Sequence, residues 1–381
     1  MFNNKGSKKK ISVAYGGEFA LGAKVMADFF GLEYVKLPHS IENFHNAKDY
    51  FPEEWCFDIK LMYADVLAAV ELDVDIIVGL SSGIISFIGP CRLPYIAEHQ
   101  IPKKLAKKFP DKKFTYLYFK FMPQVAYFSF LKNMKHIGIN VYNPGNHLKL
   151  KRINKIIKLK FKMLKKNKDL MRAVRAKAKP DFKMKSFEIF KKFEDEIFSI
   201  HDKKILKEMF NSCKKQLKEI PQDKDIEVLK IGMVGDLYSI FWDFPVIDLE
   251  NYLAQLFNVE IVSPYAVYDF YYSKRWKKKA VKQKKKMYKY WFGGSDTLTI
   301  KSFLEMQQNN LVDGVIQLRS FGCMPEEVAS LAIQNINEDN KKEASFMILS
   351  FDDHSNAEGI KTRAEAFCNT LIRKKLHDSK K

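Results

Sequence analysis

Three cysteines of the 381-residue chain stand directly before segments that read as helix starts. Cys56 lies in EEWCFDIKLMYADVLAAV (53–70), Cys91 in GPCRLPYIAEHQ (89–100) and Cys323 in FGCMPEEVASL (321–331). A helix N-terminus offers backbone N–H groups with no intrahelical partner and about half a positive charge. Both favour thiolate over thiol, the form that binds metal or attacks as a nucleophile. Pro325 at a first helical position, with Glu326 and Glu327 in the first turn, marks the start after Cys323. No Cys-x-x-Cys pair occurs, so any shared ligand set must be gathered from distant loops. Three such cysteines point to an iron–sulfur cluster with an incomplete cysteine shell. Zinc would want a fourth Cys or His, a nucleophilic cysteine a distant His, and buried thiols at element ends no ligand at all. Cys213 and Cys368 fall inside helical periods and read as ordinary helix cysteines.

The elements that must position these residues alternate. ISVAY (11–15), LEYVKL, VDIIVGL (74–80) and KFTYLYF (113–119) read as strands, with helices over 19–31, about 58–72 and after Pro94. VDIIVGL has the unbroken apolar run of a strand buried on both faces. From about 147 to 222 strand signals stop and lysine-rich helical periods take over, closed by Pro221. VLKIGMVGDLY then restarts the alternation. Strands follow near 228–234, 259–262, 313–318 and 345–350, and helices at about 248–257, 265–290, 297–311, 325–337 and 357–375. The expected fold class is α/β, with mostly parallel sheets. The expected domains are 1–146, a basic helical segment 147–222, and 223–381. Cys91 and Cys323 then sit on loops at the carboxyl ends of strands, where such folds bind ligands. GGEFALGAKV (16–25) lacks the lysine of a phosphate loop, and GMVGDLY (232–238) the third glycine of a dinucleotide fingerprint. Both read as tight strand-to-helix turns.

Bulk properties set the class. The chain is 46% hydrophobic and 29% charged, enough to bury a sizeable core. No apolar leader core opens it, and its longest weakly polar run (76–90) is too short and broken to span a bilayer. The expectation is a cytoplasmic protein without membrane contact. The net charge of +20 is concentrated in 151–186, with 15 Lys/Arg and 2 Asp, and in 274–289, with 10 basic residues and no acid. Such patches attract anions. No zinc-finger spacing or aromatic RNA-binding signature accompanies them, so the expected partner is an acidic protein or a phosphorylated ligand before nucleic acid. The plainer reading is a pair of solvated helical faces.

PEEWCFDIKLMYADVLAAVELDVDIIVGLSSG with GPCRLPYIAEHQ resembles the cysteine-bearing segments of the 2-hydroxyacyl-CoA dehydratase family. The resemblance is closer still to the standalone proteins related to acyl-CoA dehydratase activases. KIGMVGDLYSIFWDFPVIDLENYLAQLFNVEI and DGVIQLRSFGCMPEEVASLAIQNI, followed by SFDDHSNAEGIKTRAEAFCNTL, resemble the middle and C-terminal regions of the same group. The likeness covers about 11–105 and 228–375 in the same order. It implies two Rossmann-like parallel-sheet domains facing each other, with a 4Fe–4S cluster held by Cys56, Cys91 and Cys323. WFGGSDTLTIK (291–301) and the His354–Ser355 pair depart from the group's pattern, and no phosphate signature of the activase ATPase occurs. What the resemblance implies for function is a low-potential redox or accessory component of anaerobic metabolism, served by an acidic electron carrier or an activase or dehydratase partner. A dehydratase-type lyase binding a CoA thioester at an open cluster iron is the alternative, and a non-catalytic scaffold a third.

Overall fold

The computed structural model describes residues 8–14, 17–38, 41–81, 95–120, 144–236, 239–240, 248–263, 268, 296–339, 345–352 and 354–378. These fall into two compact units, one up to Ile157 and the other from Lys158 on.

The first unit carries β1 (Lys10–Ala14), α1 (Gly17–Phe30), β2 (Glu33–Tyr34), α2 (Ile41–Ala47), α3 (Phe57–Glu71), β3 (Ile76–Ser81), α4 (Ile101–Lys108) and β4 (Thr115–Lys120). Its four strands form one parallel sheet in the order β2-β1-β3-β4. Ile11 pairs with Ile76 and Val13 with Val78 across the central ladder. The runs ISVA and IIVGLS are apolar on both faces because helices cover both sides, as a parallel sheet requires. α3 is buried almost all round: Phe57, Met62, Tyr63, Val66, Ala69 and Val70 are each at most 2% exposed. A helix apolar on every face belongs inside a unit.

A 34-residue helix, α5 (Pro144–Lys177), runs across the division between the units, and α6 (Pro180–Ser199) and α7 (Lys203–Lys218) follow it. Pro180 opens α6 at its first position, where a missing N–H costs nothing. Asp202 caps α7 by accepting from the backbone N–H of Lys204 at 2.8 Å and of Ile205 at 3.0 Å.

The second unit adds β5 (Leu229–Gly235), α8 (Leu249–Leu256), β6 (Val259–Val262), α9 (Asp296–Gln308), β7 (Gly314–Ser320), α10 (Met324–Asp339), β8 (Ser345–Phe351) and α11 (Ala357–Asp378). Its sheet is again four-stranded and all parallel, in the order β6-β5-β7-β8. Met233 pairs with Ile316, and Ile316 with Met347. α9 and α10 pack on one face through Ile300, Phe303, Met306, Ala329, Ile333 and Ile336. The expected two Rossmann-like α/β units are therefore present, each on a parallel sheet. All but Tyr268 of the helix expected over 265–290 lies outside the described residues.

In both sheets the first strand of the unit lies inside, with the second strand on one side of it and the third on the other. The chain order reverses between β1 and β3 in the first unit and between β5 and β7 in the second. Loops leaving the carboxyl ends of strands diverge at such a point and leave a crevice.

Candidate functional site

Cys323 stands at this reversal in the second unit. β7 ends at Ser320, and three residues lead directly into α10. Gly322, with φ +75°, makes the turn, a conformation that glycine adopts without steric cost. The Cys323 N–H donates to Ser320 O at 3.1 Å, and its carbonyl accepts from the Glu327 N–H at 3.0 Å. Cys323 is thus the residue half inside the helix start, and it is buried. Pro325 falls one place later than the sequence predicts, since α10 begins at Met324.

Around that turn lies a buried polar assembly. Glu326 is fully buried, and it accepts from Thr299 Oγ1 at 3.1 Å and from Gln317 Nε2 at 3.0 Å. Thr299 Oγ1 also lies 3.1 Å from the Gly235 carbonyl. Asp236, the next residue, follows β5 and is 2% exposed. Its carboxylate accepts from Ser239 N (2.8 Å) and Ser239 Oγ (3.0 Å). It accepts as well from Ser320 N (3.1 Å) and Ser320 Oγ (3.2 Å) on the neighbouring strand. Burial pushes the pKa of this carboxyl above its ordinary value, against the pull of those four hydrogen bonds. Sequence reasoning missed Asp236. The available signal was a Gly-Asp pair directly after an apolar strand.

Beside this assembly, within the same unit, a pocket opens to solvent. Met233, Ile261 and Leu318 from the three strand ends line it, with Ser239, the start of α8, and Lys168 and Arg172 from α5.

Cys56, in the first unit, also stands at a helix start, but before α3, the helix that leads into β3, rather than after a strand. It is the N-cap of α3 in extended conformation, with its carbonyl accepting from Ile59 N at 3.0 Å and Lys60 N at 3.2 Å. α3 leads into β3 and runs against the strands, so its start lies toward the carboxyl ends of the sheet. Trp55 and Phe57 flank Cys56 and are 4% and 2% exposed, while Cys56 itself is half-buried. Tyr63 stacks edge-on against Trp55, with centroids 5.7 Å apart. The backbone at the cysteine is thereby pinned on both sides by aromatic anchors. Cys91, the third predicted ligand, lies outside the described residues. Among the described residues no group of three or more His, Cys, Asp or Glu forms a metal site. The donor chemistry nonetheless fits a thiophilic group: Cys56 and Cys323 are both thiols at helix N-termini on the carboxyl side of parallel sheets.

Cys213 and Cys368 are different. They lie inside α7 and α11 and are 3% and 0% exposed. Burial pushes each thiol up to about 12. Neither is built to ionise.

The basic segment 151–186 is not all solvated. Lys160 is buried, with Nζ 3.1 Å from Phe198 O and 3.0 Å from His201 Nδ1. Lys183 donates to Phe257 O at 2.9 Å. Arg172 and Arg175 together hold Glu250 at the start of α8, with Arg175 Nη2 2.7 Å from its carboxylate. Burial pushes Glu250 upward, but the Arg172 guanidinium beside it, with Arg175, outweighs that and holds the carboxyl well below the usual range. These four cations fasten α5 and α6 within the second unit. The segment 274–289 lies outside the described residues. No described helix is long and apolar enough to cross a membrane.

No protein-family model matches the chain, and no curated protein matches it.

Proposed function

We propose that the chain is a 4Fe–4S protein of the 2-hydroxyacyl-CoA dehydratase type that serves as a low-potential redox or accessory component. The observation that carries this reading is the shared setting of Cys56 and Cys323. Each ends the approach to a helix on the carboxyl side of a parallel sheet, in two units of the same strand order. Cys56, Cys91 and Cys323 would hold the cluster. When bound, such a cluster supplies a one-electron couple whose potential follows its charge, its hydrogen bonds and its exposure. The chain's own part is to present thiolates from rigid element ends, as the buried Trp55 and Phe57 on either side of Cys56 would help to do. Lysines of 151–186 not engaged within the fold, together with 274–289, would draw an acidic electron carrier, since encounters of this kind are steered by charge.

The test is anaerobic purification followed by iron and sulfide analysis and by EPR of the reduced protein. Stoichiometric iron and sulfide with a reduced-cluster signal are expected. Serine at Cys56, Cys91 or Cys323 should abolish the signal or make it labile, and serine at Cys213 or Cys368 should leave iron unchanged. Wild-type protein without sulfide, or equal iron loss in all five variants, defeats the reading.

A further inference from the structure

We propose that Asp236 is a positioning residue for Cys323: by clasping Ser320 across the gap between β5 and β7, its carboxylate fixes the loop that delivers the Cys323 sulfur. This rests on the ligand role proposed above for Cys323, but its geometry stands in the protein without a cluster.

Only two residues separate Ser320 from Cys323, and the Cys323 N–H is itself tied to Ser320 O. Whatever fixes Ser320 therefore fixes the first turn of α10. Two kinds of tether reach this loop. One is backbone: Phe321 N donates to Phe351 O at 2.8 Å, toward β8. The other is the Asp236 carboxylate, which takes both donors of Ser320 from the β5 side. Ser239, giving two more hydrogen bonds, holds the carboxylate from behind. Asp236 N also donates to Leu318 O at 3.3 Å, so the strand ends are joined in both directions. A carboxylate that is 2% exposed is costly to bury, and a merely structural strand end does not need one. Here it gathers donors from two loops at the one place where the strand order reverses. β8 holds the other edge, with its ladder running to Ser320 against Phe351 and Arg319 Nε donating to Ser350 Oγ at 2.8 Å. On the β5 side the register stops at Leu318, and there the Asp236 carboxylate carries the restraint on to Ser320.

The experiment reads Cys323 directly in metal-free protein. The full chain is treated with iodoacetamide, and the alkylation rate of each cysteine is followed by peptide mass spectrometry. Cys213 and Cys368 serve as internal reporters of the global fold. Asp236→Ala should raise the Cys323 rate by about tenfold while Cys213 and Cys368 stay protected, the pattern of a local opening. Asp236→Asn, which keeps an acceptor oxygen, should give a smaller rise. A Cys323 rate within about twofold of wild type in Asp236→Ala, with the reporters protected, overturns the proposal. If Asp236→Ala exposes all three cysteines, Ser320→Ala decides: selective exposure of Cys323 supports the clasp, and an unchanged rate overturns it. Iron and sulfide content of the wild type is measured separately, so the cluster reading can fail while the clasp stands, or the reverse.

Discussion

Glu250 is the residue on which most charge converges. Arg172 and Arg175 both bind it, and Arg175 is 1% exposed. Removing the carboxylate's charge leaves two largely buried cations without the carboxylate that both of them bind, and only Asp248 nearby to offset Arg175. Glu250→Gln should therefore destabilise the second unit by about 3–5 kcal/mol, as breaking buried pairs does. The pH dependence follows from the direction of the shift. The folded carboxyl titrates below its unfolded value, so Glu250 contributes stability that is fully present above that value. The contribution is lost as pH falls below about 4.3, the unfolded glutamate value. Chemical denaturation of wild type and Glu250→Gln at pH 7 and pH 3 checks this: the two should differ less at pH 3, and an equal gap at both would refute the charge account. None of this was legible in the sequence. The lysine and arginine excess of 151–186 was plain, but the acceptors of its buried cations lie 38 to 78 residues away. Spacing within the segment carries no record of them.

Among the elements, β5 shows how little room the sheet leaves. A Cβ on Gly235, at φ +146°, would lie 1.9 Å from the Leu318 carbonyl oxygen. Gly31, at φ +73°, would meet nothing within 4 Å. Both conformations disfavour a side chain, but only the first also produces a backbone clash. Gly235→Ala should lower the urea midpoint by the equivalent of about 3 kcal/mol, and Gly31→Ala by about 1 kcal/mol. Equal costs would show that the close approach of β5 to β7 relaxes freely. The strands themselves were readable, because parallel strands buried on both faces leave unbroken apolar runs: the strands expected at 74–80 and 313–318 are Ile76–Ser81 and Gly314–Ser320. β2 was harder. LEYVKL promised six residues, yet the ladder holds only Glu33 and Tyr34, after which Leu37 turns into the core, 2% exposed. α2 is not among the expected helices, because only seven residues form it and two, Phe44 and Ala47, carry its burial.

At the scale of the molecule, charge and fold are shared out unevenly. The net +20 survives the internal use of four basic side chains, so a field remains to act on partners. Association with an acidic donor should weaken as salt rises from about 0.05 to 0.5 M, as the screening length falls to a few ångströms. Replacing Lys277, Lys278, Lys284, Lys285 and Lys286 with Gln should slow electron acceptance at low salt, and excess duplex DNA should not compete. An unchanged rate in the Gln variant would make 274–289 a solvated lysine run. The candidate site was only half legible. Cysteines before helices can be found by eye, but the Asp236 clasp joins positions 84 residues apart, and a buried carboxylate looks like any other aspartate in a string of letters.

The strand order of the second unit has a consequence for synthesis. β5 is central, yet its partner β7 pairs with it only from Gly314 onward, against Ile231. The tie between Lys230 and Asp313 already spans 83 residues. A ribosome adding about 5–20 residues per second needs roughly 4–17 s to cover that stretch. Throughout it, the apolar LKIGMVG edge has left the translation machinery with one side unpaired. The nascent chain therefore passes through an interval in which chaperone capture of this one strand competes with edge-to-edge aggregation.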